Sequence, residues 1–178
     1  MTTTITGATG VNKITDDAIT DAKLPAGSVL QVKNFALTDT FVMTTAATWT
    51  DTTLVLSITP SSTASKILIT YSVSYAGNSG QRGGVRIIRG STPLCIADAS
   101  SNRIQTTSSF QGTSLRSSDA NLSSTYLDSP STASAVTYKV QAFCENNSPV
   151  YFNRGTNDED NGTVMRATSQ ITLTEIAG

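Results

Sequence analysis

Residues 65–75 read SKILITYSVSY. Ile67, Ile69, Tyr71, Val73 and Tyr75 share one parity, while Leu68, Thr70, Ser72 and Ser74 share the other. Successive side chains of a strand point to opposite faces, so the stretch has one apolar face and one mostly hydroxylated face. Strict alternation over this length marks a half-buried strand of an antiparallel sheet.

The same pattern extends in both directions. SVLQVKNF (28–35) is a first candidate strand and DTFVM (39–43) a second. TTLVLSI (52–58) sets Leu54, Leu56 and Ile58 on one face, and Pro60 ends it. Downstream, VRIIRG (85–90) and PLCIA (93–97) read as a pair of strands. AVTYKVQAFCE (135–145) places Val136, Tyr138, Val140, Ala142 and Cys144 on one face. NLSSTYLDS (121–129), PVYFN (149–153) and SQITLTEI (169–176) complete the set. The connections are GNSGQRGG (77–84), a glycine-rich loop with positive-φ positions available, and RGTNDEDNG (154–162). The stretch from Asp98 to Asn121 is long and polar, with weak strands near SSF and TSLR. In LDSPSTASAVTYKV (127–140), small hydroxylated residues stiffened by Pro130 lead into a core strand.

About ten strands without a convincing helix predict an all-β fold, an antiparallel two-sheet sandwich of jelly-roll type. No fixed-period repeat points to a propeller or solenoid. Residues 1–24 differ. MTTTITGATGVNKITDDAITDAKL has scattered apolar residues and no alternation long enough for a buried strand. Its DDAITDAK section can form a turn or two of helix capped by Asp16 or Asp17. The expectation is an extended N-terminal attachment arm, 1–24, whose docking residues are Ile5, Val11, Ile14 and Ile19, followed by a sandwich head, 25–178. Leu24-Pro25-Ala26-Gly27 separates the two.

Composition agrees with a sheet. Ser and Thr make up roughly 30% of the 178 residues and charged residues only 14%. Thr suits a pleated surface, while both residues compete with the backbone inside helices. With 12 Lys+Arg against 13 Asp+Glu, the chain lacks the basic excess that grips nucleic acid phosphates. Nothing resembles a membrane helix or a signal peptide, so the expected setting is soluble, without membrane or nucleic-acid partners.

Histidine is absent. That removes Ser–His and Cys–His nucleophile pairs and imidazole metal ligands. A carboxylate pair, as in glycoside hydrolysis, is the surviving enzymatic option. The glutamates are Glu145, Glu159 and Glu175, read here as solvated strand ends. The expectation is a non-enzyme without cofactor. Cys95 and Cys144 both fall in strand-like segments and read as buried small hydrophobes. DEDNG (158–162) has the acidic spacing of half a calcium loop, with Asp158 and Asp160 as the ligands if it bound one. The preferred reading is a loop kept soluble by charge.

Three arginines, Arg82, Arg86 and Arg89, lie within eight residues. Their forks suit anionic sugars, and more often they form salt bridges across a subunit contact. Trp49, Tyr126 and Tyr151 are the aromatic candidates for stacking on a sugar ring, whereas Tyr71, Tyr75 and Tyr138 belong to the core.

Several stretches together resemble a family of tail-fibre and other virion-surface proteins of marine and freshwater bacteriophages. They are TITGATGVNKIT (4–15), LPAGSVLQV (24–32), ATWTDTTLVLSITPSSTASKILITYSV (47–73), RGSTPL (89–94), YLDSPSTASAVTYKVQ (126–141) and ITLTEIAG (171–178). The resemblance is one of strands and loops and includes no catalytic motif. It implies a fibre subunit of the virion, assembled in the host cytoplasm as a homotrimer. Such a subunit docks on other tail, neck or capsid proteins and presents its head to a host glycan or protein. A short head fibre, a capsid decoration protein or a tail-tip subunit fits the length equally well.

Overall fold

A computed structural model describes residues 24–112, 116 and 119–178. The expected docking residues of the arm, its helical turn and most of TSLR lie outside the described residues. Eleven strands and no helix make up the described chain. They are β1 (Val29–Leu37), β2 (Phe41–Met43), β3 (Thr50–Ile58), β4 (Lys66–Gly77), β5 (Arg82–Arg89), β6 (Thr92–Leu94), β7 (Ser108–Gln111), β8 (Ala120–Asp128), β9 (Val136–Cys144), β10 (Val150–Phe152) and β11 (Ser169–Ile176).

All pairings are antiparallel and form two sheets. In the first sheet β4 is central. β8 takes one edge of it, and β11 and β10 share the other end to end. β1 then pairs with β11, and β2 with β10. In the second sheet the order is β3–β9–β5, with β6 and β7 sharing the far edge of β5. Successive strand groups alternate between the two sheets along the chain.

The alternation read from SKILITYSVSY sets the core. Ile67, Ile69, Tyr71, Val73 and Tyr75 are buried against Leu54, Ile58, Val85, Ile87, Tyr138, Val140 and the apolar residues of β11. Each fully buried aliphatic side chain here contributes roughly 1.5–3 kcal/mol. The described strand β6 is shorter than PLCIA: it stops at Leu94, and Cys95 follows with φ 49°. Cys95 is exposed, so the buried reading fails there; Cys144 is buried as expected, and both thiols are free. In the other direction β5 begins earlier than VRIIRG and takes Arg82, Gly83 and Gly84 out of the expected loop. Packing gives the reason. A Cβ on Gly83 would lie 2.4 Å from the Phe110 ring, and one on Gly84 2.5 Å from Thr106.

Three polar groups tie the sandwich together internally. Asn153 is fully buried in a left-handed conformation (φ 62°), which Asn tolerates better than most residues. Its Nδ2 donates to the Leu37 and Asp39 carbonyls at 2.9 and 2.8 Å, and its Oδ1 accepts from Ser169 Oγ at 2.6 Å. It therefore joins the ladder where β10 gives way to β11. At one end, Asp128 of the first sheet accepts from Arg89 at 2.9 Å and from the Tyr138 hydroxyl at 2.7 Å, both in the second sheet. Burial, with the Asp128 hydrogen bond and charge, pushes the Tyr138 phenol far up, so it stays protonated as the donor.

Glu175 is the third group, and it overturns its reading as a solvated strand end, because it is fully buried. Its Oε1 accepts from the Ser61 amide at 2.6 Å, and its Oε2 from Gln31 Nε2. The carboxylate thereby fastens the β3–β4 loop to β11 and β1. Burial alone would raise its pKa. Hydrogen bonds from Gln31 and Ser61 outweigh that and hold the carboxyl below its usual range.

Candidate functional site

The outward residues of the second sheet form one connected polar network. Register sets Asp51 opposite Gln141, and Gln141 opposite Arg86. Lys139 Nζ and Gln141 Nε2 each donate to the Asp51 carboxylate at 2.6 Å. Arg86 donates through Nε and Nη2 to Gln141 Oε1 at 2.9 and 2.7 Å. Its guanidinium lies 4.1 Å from the centre of the Trp49 ring, a cation–π contact. Trp49 in turn stands 5.4 Å from Phe143, tilted by 46°. The Lys139 and Gln141 hydrogen bonds hold Asp51 below the usual carboxylate range. Burial costs Arg86 some basicity, partly offset by the Asp51 charge, yet a guanidinium stays charged throughout.

The network runs into a groove of about 290 Å³ lined by Phe143, Gly83, Ile104, Thr106, Ser109, Arg82 and Glu145. At its rim Arg82 and Glu145 close a ring. The Arg82 amide donates to Glu145 Oε1 at 3.1 Å, Arg82 Nη1 to Oε2 at 3.2 Å, and the Glu145 amide to the Arg82 carbonyl at 3.0 Å. Opposite stands Ile104, 52% exposed. Apolar walls with a few fixed polar groups are the usual make-up of a small-molecule site, and this volume falls at the lower end of such sites.

The structure separates the sequence candidates. Trp49, Arg82 and Arg86 converge on this face. Arg89, at the end of β5, turns to the buried Asp128 and is engaged by its carboxylate, with its side chain 30% exposed. Tyr126 faces inward from β8 and packs against the core, so it offers no stacking platform. Tyr151 lies on the opposite sheet, beneath the Arg154 guanidinium at 4.3 Å. Within the chain, Arg82 pairs with Glu145 and Arg86 bonds Gln141. Asp158 is held by Arg166 through two hydrogen bonds, at 3.0 and 2.8 Å, so both its oxygens are engaged. Among the described residues no cluster of acidic or thiol groups is arranged to hold a metal ion.

Sequence reasoning missed Phe143, Gln141, Asp51 and Ile104. For Phe143 the signal existed. In AVTYKVQAFCE it is an aromatic on the parity otherwise carried by Thr137, Lys139 and Gln141. Ile104 has no periodic context, because it sits in the loop between β6 and β7.

Fold and site together define a two-layer antiparallel β-sandwich with a charged, grooved outer face on one sheet. Searches among protein families and among curated proteins find no match to the chain.

Proposed function

We propose that the chain is a non-enzymatic structural protein of a phage virion, a short fibre or tail-fibre subunit. Its N-terminal arm docks on the particle, and its sandwich recognises a host-surface glycan or protein. The strand order supports a jelly-roll reading. One sheet runs β1/β2, β10/β11, β4, β8, the other β3, β9, β5, β6/β7, and the chain alternates between them as two interleaved Greek keys require.

The observation that carries the recognition role is the groove beside Phe143. Its apolar wall and the fixed Arg82–Glu145 pair match the mixed surface of a sugar ring, apolar on its face and hydroxylated at its edge. Assembly as a homotrimer belongs to the same reading. The test is binding of the purified chain to host cells and to capsids. Binding to cells that falls at least about tenfold in Ile104→Asp supports the reading, since a charge that the ligand would have to desolvate spoils an apolar wall. Binding to capsids but not to cells overturns it in favour of a capsid decoration protein.

A further inference from the structure

The outer face of the first sheet has a different make-up. Backbone register aligns its side chains in straight rows across four strands. One row is Asn34, Thr172, Thr70 and Thr125. The next is Val32, Thr174, Leu68 and Leu127, and on the other side lie Ala36, Gln170, Ser72 and Ser123. None of these twelve positions carries a charge, and every one is exposed or half-buried. Lys66 stands beyond the rows at one end, and at the other Arg154 lies over Tyr151, which pairs with Ala76 of β4. Cross-strand hydrogen bonds fix the central row, Asn34 Nδ2 to Thr172 Oγ1 at 2.8 Å and Thr70 to Thr125 at 3.3 Å.

We infer that this face is a homotypic contact, packing against the same face of further copies of the chain around a symmetry axis. Three observations select a second copy over a foreign partner. Where a surface meets its own copy at the symmetry axis, like groups stand opposite like groups, so a charge in the central row would repel itself; this face has none. A foreign partner is normally guided by opposite charge, for which the face offers nothing. Each hydroxyl and carboxamide is both donor and acceptor, so it keeps the capacity to pair with an identical group. Val32, Leu68 and Leu127 add an apolar row, with Val32 58% and Leu127 45% exposed in the single chain.

The inference rests on the proposed self-association and locates its contact. Four strands about 4.8 Å apart and three rows about 6.8 Å apart give a face roughly 20 Å square. That is about half of the ~800 Å² per partner of a standard interface, so the contact is a weak one. The experiment is sedimentation velocity of the full chain from about 1 to about 200 µM, a range that brackets so small a contact. It compares the natural sequence, Thr70→Glu at the centre of the face, and Thr53→Glu on the opposite sheet, with circular dichroism confirming the β fold of each. The expected result is an oligomer that Thr70→Glu weakens at least about tenfold while Thr53→Glu does not. A dimer with that response supports the contact and overturns only the threefold assembly. An oligomer indifferent to Thr70→Glu overturns the contact and leaves self-association standing. A monomer at every concentration overturns both.

Discussion

The two outer faces of the sandwich are built from the same alternation and end up with opposite chemistry. On the second sheet, Lys139, Asp51, Gln141, Arg86 and Trp49 form a chain of directional contacts that leads to a groove. On the first, hydroxyls, carboxamides and four apolar side chains fill flat rows with no charge among them. A charge network fixes each member's geometry and leaves defined donors at its margin, which suits recognition of a particular ligand. An uncharged, self-compatible surface has little directional preference and suits packing. The difference shows that surface role is decided by which residue types occupy the outward parity, while the inward parity of both sheets obeys one rule.

Four experiments would break or sharpen this comparison. The largest effect is expected from Gly83→Ala, whose new Cβ would meet Phe110 and the Phe143 carbonyl, both at 2.4 Å. Overpacking there should cost about 3 kcal/mol, a fall in Tm of roughly 6–12 °C by calorimetry. The matching change on the flat face, Ala36→Val, should alter stability by less than about 0.5 kcal/mol. Equal losses at the two positions would mean that the groove end of the second sheet, where Gly83 abuts Phe110, is no more tightly packed than the flat face.

Next comes Glu175→Gln, which leaves one acceptor oxygen for two donors, the Ser61 N–H and Gln31 Nε2, and should cost about 1–3 kcal/mol in urea unfolding. The folded pKa of Glu175 is depressed, so its contribution is fully present above the unfolded carboxylate value near 4.3. It is lost as pH falls through the folded pKa. Tm of the natural chain should therefore drop on acidification below about pH 4, and more steeply than that of Glu175→Gln. Parallel pH curves would remove Glu175 from the account.

Asp51→Asn tests the charged face more gently. Asp51 is half exposed, so solvent screening limits the loss to about 0.5 kcal/mol, shrinking further in 1 M salt. The smallest effect is expected from Thr125→Val on the uncharged face, within about 0.5 kcal/mol of the natural chain and independent of salt. Salt dependence at Thr125 rather than at Asp51 would invert the comparison.

Much of the fold was legible because period-two alternation writes burial directly into the sequence. SKILITYSVSY and AVTYKVQAFCE gave their buried faces residue by residue. The sequence reading failed where a neighbour from elsewhere in the chain decides. Gly83 and Gly84 read as loop glycines, yet they are strand residues whose missing side chains make room for Phe110 and Thr106. Glu175 read as solvated, yet the Ser61 amide and Gln31, far away in sequence, enclose it. Of the candidate site, Trp49, Arg82 and Arg86 were legible as unusual residue types. That Arg89 turns to Asp128 and Tyr126 to the core was not, because strand ends sit where parity alone does not say what covers a side chain.

The order of residues alone determined that the described chain folds as two antiparallel sheets, since local periodicity fixes which side of each strand avoids water. It determined as well the poverty in histidine and in charge. Only the tertiary structure decided which strands became neighbours. That choice gathered Trp49, Arg86, Gln141 and Phe143 on one face and lined up Thr172, Thr70 and Thr125 on the other. Strand pairing depends on contacts between residues tens of positions apart, and no local window of sequence contains them.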